Sequence, residues 1–312
     1  MSAPVRLSRR RLLSSGLVLF AVALVACRPG TGAEDPKQPE KALASVKVRV
    51  EPKQQRMVLI FTHAAGFRHG SIPVGANAVR FLGRETGAFD SLVSDDPAMF
   101  EPERLREFDA IVLVNTTGDW LLPKLEKGQQ LTADAKQERE ATLQRRRQAL
   151  LDFVSGGKGL AGFHAASDGH YSWKEFGQLI GGYFDGHPWH QKIGVSLTEP
   201  KHTLLSAFKG QGFEITDEIY QFKDPYSRDR LRVLLTVDNN SIDAGKGKRQ
   251  DRDYAIAWIQ QYGQGRVFYS SLGHREEIYG NPAVMQFYLD GIQYAIGDLS
   301  ADATPSSKLA SE

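Results

Sequence analysis

The sequence predicts an α/β fold in which a largely parallel sheet is covered by helices on both faces. Three observations carry this reading. Short apolar runs recur without polar alternation, the segments between them show helical spacing, and polar residues able to do chemistry stand just after the runs. Unbroken apolar strands are what a sheet buried on both faces requires. In such sheets the ligand crevice lies outside the carboxyl ends of the strands.

Taken in order, "RMVLIFTH" (56–63) is a buried strand ending at His63. "SIPVGANAVRFLGRETG" follows as a helix with Ala76, Val79 and Phe81 or Leu82 turned inward. "DAIVLVNTTGD" is a second apolar strand, closing on Asn115 and Thr116. Residues 118–140 are longer and more polar than a connection needs, and read as a solvated insertion, with a flap over the site as the alternative. "AKQEREATLQRRRQALLDFVSGG" is a helix stopped by Gly156 and Gly157, and "GLAGFHAASD" is a third strand and turn. "KIGVSLTEP", "RVLLTVD", "DYAIAWIQQYG" and "GRVFYSSLGH" are further strand-like runs before a closing helix, "AVMQFYLDGIQYAIG". His63, Asn115 and His164 all fall at strand ends, so three segments are expected to converge on one edge.

The termini read differently. Residues 1–26 combine an arginine-rich start, an apolar stretch from Leu17 to Val25 and small residues before Cys27, which is a secretory signal too short to span a membrane well. Leu24-Val25-Ala26-Cys27 resembles a bacterial lipobox, and Ser8-Arg9-Arg10 with Leu12-Leu13 resembles a twin-arginine signal. The expectation is an exported protein, lipid-anchored through Cys27 on the periplasmic or extracellular face of a bacterial membrane. Residues 27–45 are rich in Pro, Gly and charge and read as a flexible tether, and 299–312 as a disordered tail. The folded unit is placed at 46–298.

Composition narrows the function. The chain has 312 residues, 41% hydrophobic and 24% charged, with a formal charge of +2. Four unpartnered arginines of the leader supply that excess, and no basic run or nucleic-acid motif follows, so no nucleic-acid partner is expected. The single cysteine, Cys27, leaves no intrachain disulfide and no thiol nucleophile in the folded unit. "GGKGLAG" precedes a strand rather than following one, which reverses the order a dinucleotide fingerprint needs.

The histidines are the chemical signal. Of eight, His63, His69, His164, His187, His190 and His274 stand after apolar runs or in glycine-flanked loops. Imidazoles can move protons near neutral pH, with a carboxylate such as Asp168 fixing the tautomer of His164. They can also hold a divalent metal such as zinc, for which His187 and His190 offer an i, i+3 pair. His63 and His69, flanking "AAGFR", can equally grip the oxygens of a substrate.

"FTHAAGFRH", "NTTGD", "GKGLAGFHAASD", "LIGGYFDGHP", "DEIYQF" and "GQGRVFYSSLGH" together resemble the ThuA-like family of trehalose utilisation, over roughly residues 56–298. Two departures stand out: "YAIAW" lacks the family's usual proline before Ala-Trp, and the 118–140 segment is longer. The resemblance implies a flavodoxin-like sandwich of the class I glutamine amidotransferase kind, with His164 at or beside the elbow where those enzymes carry a cysteine. Thiol amidotransferase chemistry is therefore excluded. It also implies action on trehalose or a related disaccharide, in the oxidised 3-keto form, as a lyase, isomerase or hydrolase. On that footing His164 is base or acid, Asp168 its orienting partner, His63 and His274 further acids or carbonyl-polarising groups, and Glu218 a second carboxylate. Phe67, Arg68, His69, Asn115, Thr116, Trp120 and Tyr220 would contact the sugar, with Trp189 a further stacking surface. Two alternatives stay open: a non-catalytic sugar-binding lipoprotein serving a partner sugar oxidoreductase, and a metal-dependent hydrolase.

Overall fold

The computed structural model describes residues 43–309. The signal, the lipobox with Cys27 and most of the expected tether lie outside the described residues. Among these, no helix is long and apolar enough to cross a membrane.

A nine-stranded sheet organises the chain. Its first half is parallel: β1 (Met57–Phe61) lies between β2 (Asp90–Ser94) and β3 (Ala110–Val114), and β4 (Gly159–Phe163) pairs with β3 and with β11 (Gly265–Ser270). Its second half is antiparallel, running β11, β10 (Ala255–Tyr262), β9 (Arg232–Val237), β6 (Trp189–Leu197) and β7 (Phe213–Ile219). β5 (Tyr183–Phe184) and β8 (Phe222–Lys223) form a separate short pair. The predicted fold class holds.

Strand period explains the two cores. Val58, Ile60, Val112 and Val114 face one side, with α1 (Ile72–Thr86) and α5 (Pro282–Ile296). Their neighbours Leu59, Phe61, Ile111 and Leu113 face the other, with α3 (Ala133–Ser155) and α4 (Lys174–Ile180). α2 (Pro102–Leu105) is a single turn. On α1 it is Leu82, with Ala76, Ala78 and Val79, that is buried, while Phe81 is partly exposed. β2 has no counterpart among the predicted strands because it is an edge strand with Leu92 and Val93 exposed, and so carries no continuous apolar run.

Both expected boundaries of the folded unit move outward. Leu43 is buried in the core, and the neighbouring chain is tied to α5 by Lys47 and Gln286, which exchange backbone and side-chain hydrogen bonds. Residues 299–309 are no loose tail. Leu299 is buried, Ser306 N donates to Leu231 O at 2.9 Å, and Val233 N donates to Ser306 Oγ at 2.9 Å. The segment also gives Thr304 O to Arg232, a buried guanidinium that pairs with Glu199. Its polar composition hid a role in satisfying hydrogen bonds along the flank of β9.

The 118–140 segment is not one long loop. Trp120, Leu121 and Leu122 are buried, residues 123–130 are exposed, and Thr132 caps α3, so the last residues of the segment are helix.

Candidate active site

The site begins with backbone. β3 and β4 end in residues that leave the extended region abruptly: Asn115 has φ of 51° and His164 φ of 45°. Left-handed conformations are uncommon for side-chain-bearing residues and persist where the surroundings over-determine them. Here Tyr269 Oη donates to His164 O at 2.6 Å, and His164 Nδ1 lies 2.8 Å from Ser271 O. A carbonyl can only accept, so Nδ1 carries a proton, and in the neutral ring Nε2 presents a lone pair.

A second clamp holds the loop after β11. Asp217, fully buried, accepts from Gly273 N at 2.7 Å and from Arg275 N at 3.0 Å. From the other side Ser71 Oγ and Asn115 Nδ2 both donate to Gly273 O. Gly273 has φ of 128°, and a Cβ there would meet the Tyr279 hydroxyl at 2.5 Å, so a side chain is excluded twice over. His274 is thereby fixed between two gripped neighbours. Burial raises the Asp217 pKa, against the pull of His164 and of the backbone donors.

β4 and β7 are five positions apart in the sheet, about 24 Å if it were flat. Yet His164 Nε2 lies 3.5 Å from Glu218 Oε2. The antiparallel half therefore curls over the carboxyl edge of the parallel half and lowers Glu218 onto it. Glu218 is the hub: Oε2 also lies 3.2 Å from His274 Nδ1, and Oε1 lies 3.5 Å from His187 Nδ1. Burial opposes its charge, but His164, His274 and His187 outweigh that and hold the carboxyl down to about 2.

His69 completes the cluster, its ring edge-on to His164 at 4.9 Å and to His274 at 5.3 Å. Burial, aided by the neighbouring histidines, lowers its pKa to about 3, and burial lowers that of His274. His69, His164, His274 and Glu218 each offer one ligand atom within 4.8 Å of the others, a set able to hold a metal ion. A cleft of about 360 Å³ opens beside them, lined by Phe67, His69, Ser71, His190 and His274 among others.

Several expected site residues meet here and several do not. His164, His274, Glu218 and His69 converge, with the Tyr220 ring 4.4 Å from His164. The expected metal pair separates. His187 is exposed on the outer oxygen of Glu218, and His190, opposite Glu218 in the β6–β7 register, is exposed beside His274 at 5.0 Å. Asp168 does not orient His164; its carboxylate accepts from Tyr171 Oη at 2.6 Å, and the carbonyl of Ser271 takes the orienting place. His63 lies apart from the cluster, beside Leu122 and Asp95, where burial lowers its pKa.

Asn115 is a clamp rather than a sugar contact, and Thr116 is buried beside it. Trp120 is fully buried against Phe61, Phe100 and His170, and Trp189 against Tyr254, so neither offers a stacking face. Phe67 does, being 67% exposed above His69, and Arg68 is exposed next to it. Thr117 Oγ1 donates to Phe67 O at 2.6 Å and holds that loop. Ser71, Thr117, Asp217 and Ser271 escaped the sequence reading. Thr117, Asp217 and Ser271 lie within "NTTGD", "DEIYQF" and "GQGRVFYSSLGH", which was the one signal for them.

The ThuA family, described as trehalose utilisation, matches residues 57–295. The fold is similar to that of a ThuA-like protein from Bacteroides uniformis, at 20% identity over 89% of this chain and 100% of that one, with a TM-score of 0.58. It is also similar to a ThuA-like protein from Parabacteroides merdae, at 15% identity over 79% and 91% of the two chains, with a TM-score of 0.55. Comparison with curated proteins finds no match. With the motifs in order, the sheet in place and the family match spanning well over half of the sequence, the chain belongs to the ThuA family of trehalose utilisation.

Proposed function

We propose that this protein is an enzyme of disaccharide utilisation that moves a proton on a sugar carrying a ketone, in the trehalose or glucoside class. The observation that carries the reading is the sharing of one ionised carboxylate, Glu218, by His164, by the exposed His187 and by His274, which lines the cleft. A proton on the carbon beside a ketone is acidic enough for an imidazole to remove it. The electron pair then passes to the carbonyl oxygen. Collapse of the resulting enolate either expels the glycosidic oxygen from the adjacent carbon or takes the proton back at a new position.

Exposure divides the roles. His164 is wholly buried and donates through Nδ1 to a carbonyl, which suits holding Glu218 in place better than direct contact with a sugar carbon. His187 is exposed with its Nδ1 toward Glu218, the arrangement of a general base with its orienting carboxylate. Phe67 supplies an apolar face for the ring. The reading includes export and lipid anchoring at Cys27, supported by the leader pattern and tested by mass spectrometry of the membrane-bound N-terminus.

The direct test is turnover of 3-keto-trehalose and a 3-keto-glucoside by the purified chain, beside His187→Ala. Consumption that falls about 100-fold or more in the variant supports the reading. Sugar binding without turnover would leave a binding protein instead, and turnover unchanged in His187→Ala would remove the proton-transfer role from that residue.

A further inference from the structure

We propose that His69, His164, His274 and Glu218 bind a single divalent transition-metal ion of the zinc class, and that it is this ion, rather than the exposed pair His187 and His190, that the chain's histidines hold. The inference stands apart from the keto-sugar reading. Its first support is a set of unmet polar atoms. Nδ1 of His69, Nε2 of His164 and Nδ1 of His274 are all buried, and none makes a hydrogen bond. Buried polar atoms are satisfied in the great majority of cases, and three orphans in one cluster ask for a common partner.

The second support is the sign of what faces what. Because Nδ1 of His164 is committed as donor to Ser271 O, the neutral ring points an Nε2 lone pair at the Glu218 carboxylate 3.5 Å away. Two electron-rich atoms at that distance repel unless something positive lies between them. A proton shared with Glu218 could serve one such contact, yet the cluster has three imidazoles around one carboxylate. One dication answers all of them at once. Neutral imidazoles and an ionised carboxylate are the protonation states that metal binding requires.

The spacing and the support agree with this. Ligand bonds of about 2.0–2.2 Å to zinc place neighbouring ligand atoms roughly 3.3–3.6 Å apart in a tetrahedron. His164 Nε2 and His274 Nδ1 lie 3.5 and 3.2 Å from Glu218 Oε2, close to that spacing, while the full set spans up to 4.8 Å and would draw in around an ion. The Ser271 carbonyl fixes one ligand ring from behind and the Asp217 clamp fixes the loop of another, as outer contacts do in metal sites. Mixed imidazole and carboxylate donors suit zinc, iron, cobalt or nickel better than calcium or magnesium. His69 and His274 also line the cleft, so a ligand entering it meets the ion. There the ion would polarise a carbonyl or a water, with His187 on the outer oxygen of Glu218 left free to move a proton.

The test uses the full chain in detergent, stripped with a chelator and titrated with Co²⁺, whose visible absorption reports low-coordinate nitrogen and oxygen ligation. One equivalent is expected, displaced by Zn²⁺, with a higher melting temperature when loaded. Affinity should fall about 100-fold or more in His274→Ala and in Glu218→Gln, and stay within about twofold in His190→Ala. His274 is partly exposed, so its variant is expected to fold, and the melting curve of the stripped protein checks that. Absence of saturable absorption in the wild type, or affinity unchanged in His274→Ala, overturns the proposal. Loss in His190→Ala alone would move the ion to the exposed pair and overturn it equally. No substrate enters the measurement, so failure here leaves the keto-sugar reading standing, and failure of turnover leaves the ion standing.

Discussion

The two halves of the sheet contribute opposite things to one site. The parallel half supplies position: His69, His164 and His274 sit beyond its strand ends, in loops clamped by Asn115, Ser71 and Tyr269 and, through the backbone, by Ser271. The antiparallel half supplies charge and access. Asp217 and Glu218 come from β7, and the exposed His187 and His190 from the approach to β6 and its second residue. A rigid frame thus holds the rings still, while a curled extension brings the carboxylates to them. The site exists only where the two meet, and each half can be broken separately.

The largest effect is expected at the meeting point. Glu218→Gln keeps the shape and removes the shared charge, so turnover of a keto-glucoside should fall about 10²–10⁴-fold, read by steady-state kinetics. A smaller loss would mean that the extension merely covers the frame. On the frame side, Trp120→Ala should cost about 3–5 kcal/mol of stability by denaturant unfolding, because the ring is fully enclosed by Phe61, Phe100 and His170. KM of the remaining folded enzyme should not change, and a rise in KM would return Trp120 to the sugar.

The seam is probed by Asp217→Asn. An amide oxygen can still accept from one of the two backbone donors but cannot match the carboxylate at both, so a loss of about 1–3 kcal/mol is expected, with a fall in kcat as His274 loosens. Smaller again, Phe67→Ala should raise KM several-fold while stability shifts by less than about 0.5 kcal/mol, since the ring is exposed. Equal losses of stability at Phe67 and Trp120 would erase the distinction between frame and surface.

The gentlest probe is pH. Burial lowers the pKa of His170 in the frame and of His202 beside the tail. Each therefore binds its proton more readily in the unfolded chain, whose imidazoles titrate near 6.5. The stability they contribute is present above about pH 6.5 and is lost as pH falls below it. Melting temperatures of the stripped protein should decline from pH 7 toward pH 5, and a flat profile would mean that neither ring stays neutral when folded.

Legibility in the sequence follows the same division. The strands β1, β3 and β4, the helices α1, α3 and α5, and the placing of His164 at a strand end were readable because each is a local pattern. β2 was not, since an exposed edge lacks the apolar run that marks a buried strand. Asp168 is close to His164 along the chain but turns to Tyr171 in space, so sequence proximity does not find the partner. His164 finds its partners in Ser271, 107 residues on, and in Glu218 on a distant strand. Residue type alone makes Trp120 a candidate sugar platform, and only burial separates a core tryptophan from an exposed one.

By itself the sequence determined the frame, the set of histidines that carry the chemistry and the motifs of the family, because hydrophobic period and turn residues act over a few positions of chain. Tertiary structure alone decided which carboxylate meets which imidazole, which aromatic faces the cleft, and that residues 299–309 close the flank of β9. Those outcomes depend on the curl of a nine-stranded sheet, a sum of small twists over many strands that no single segment encodes.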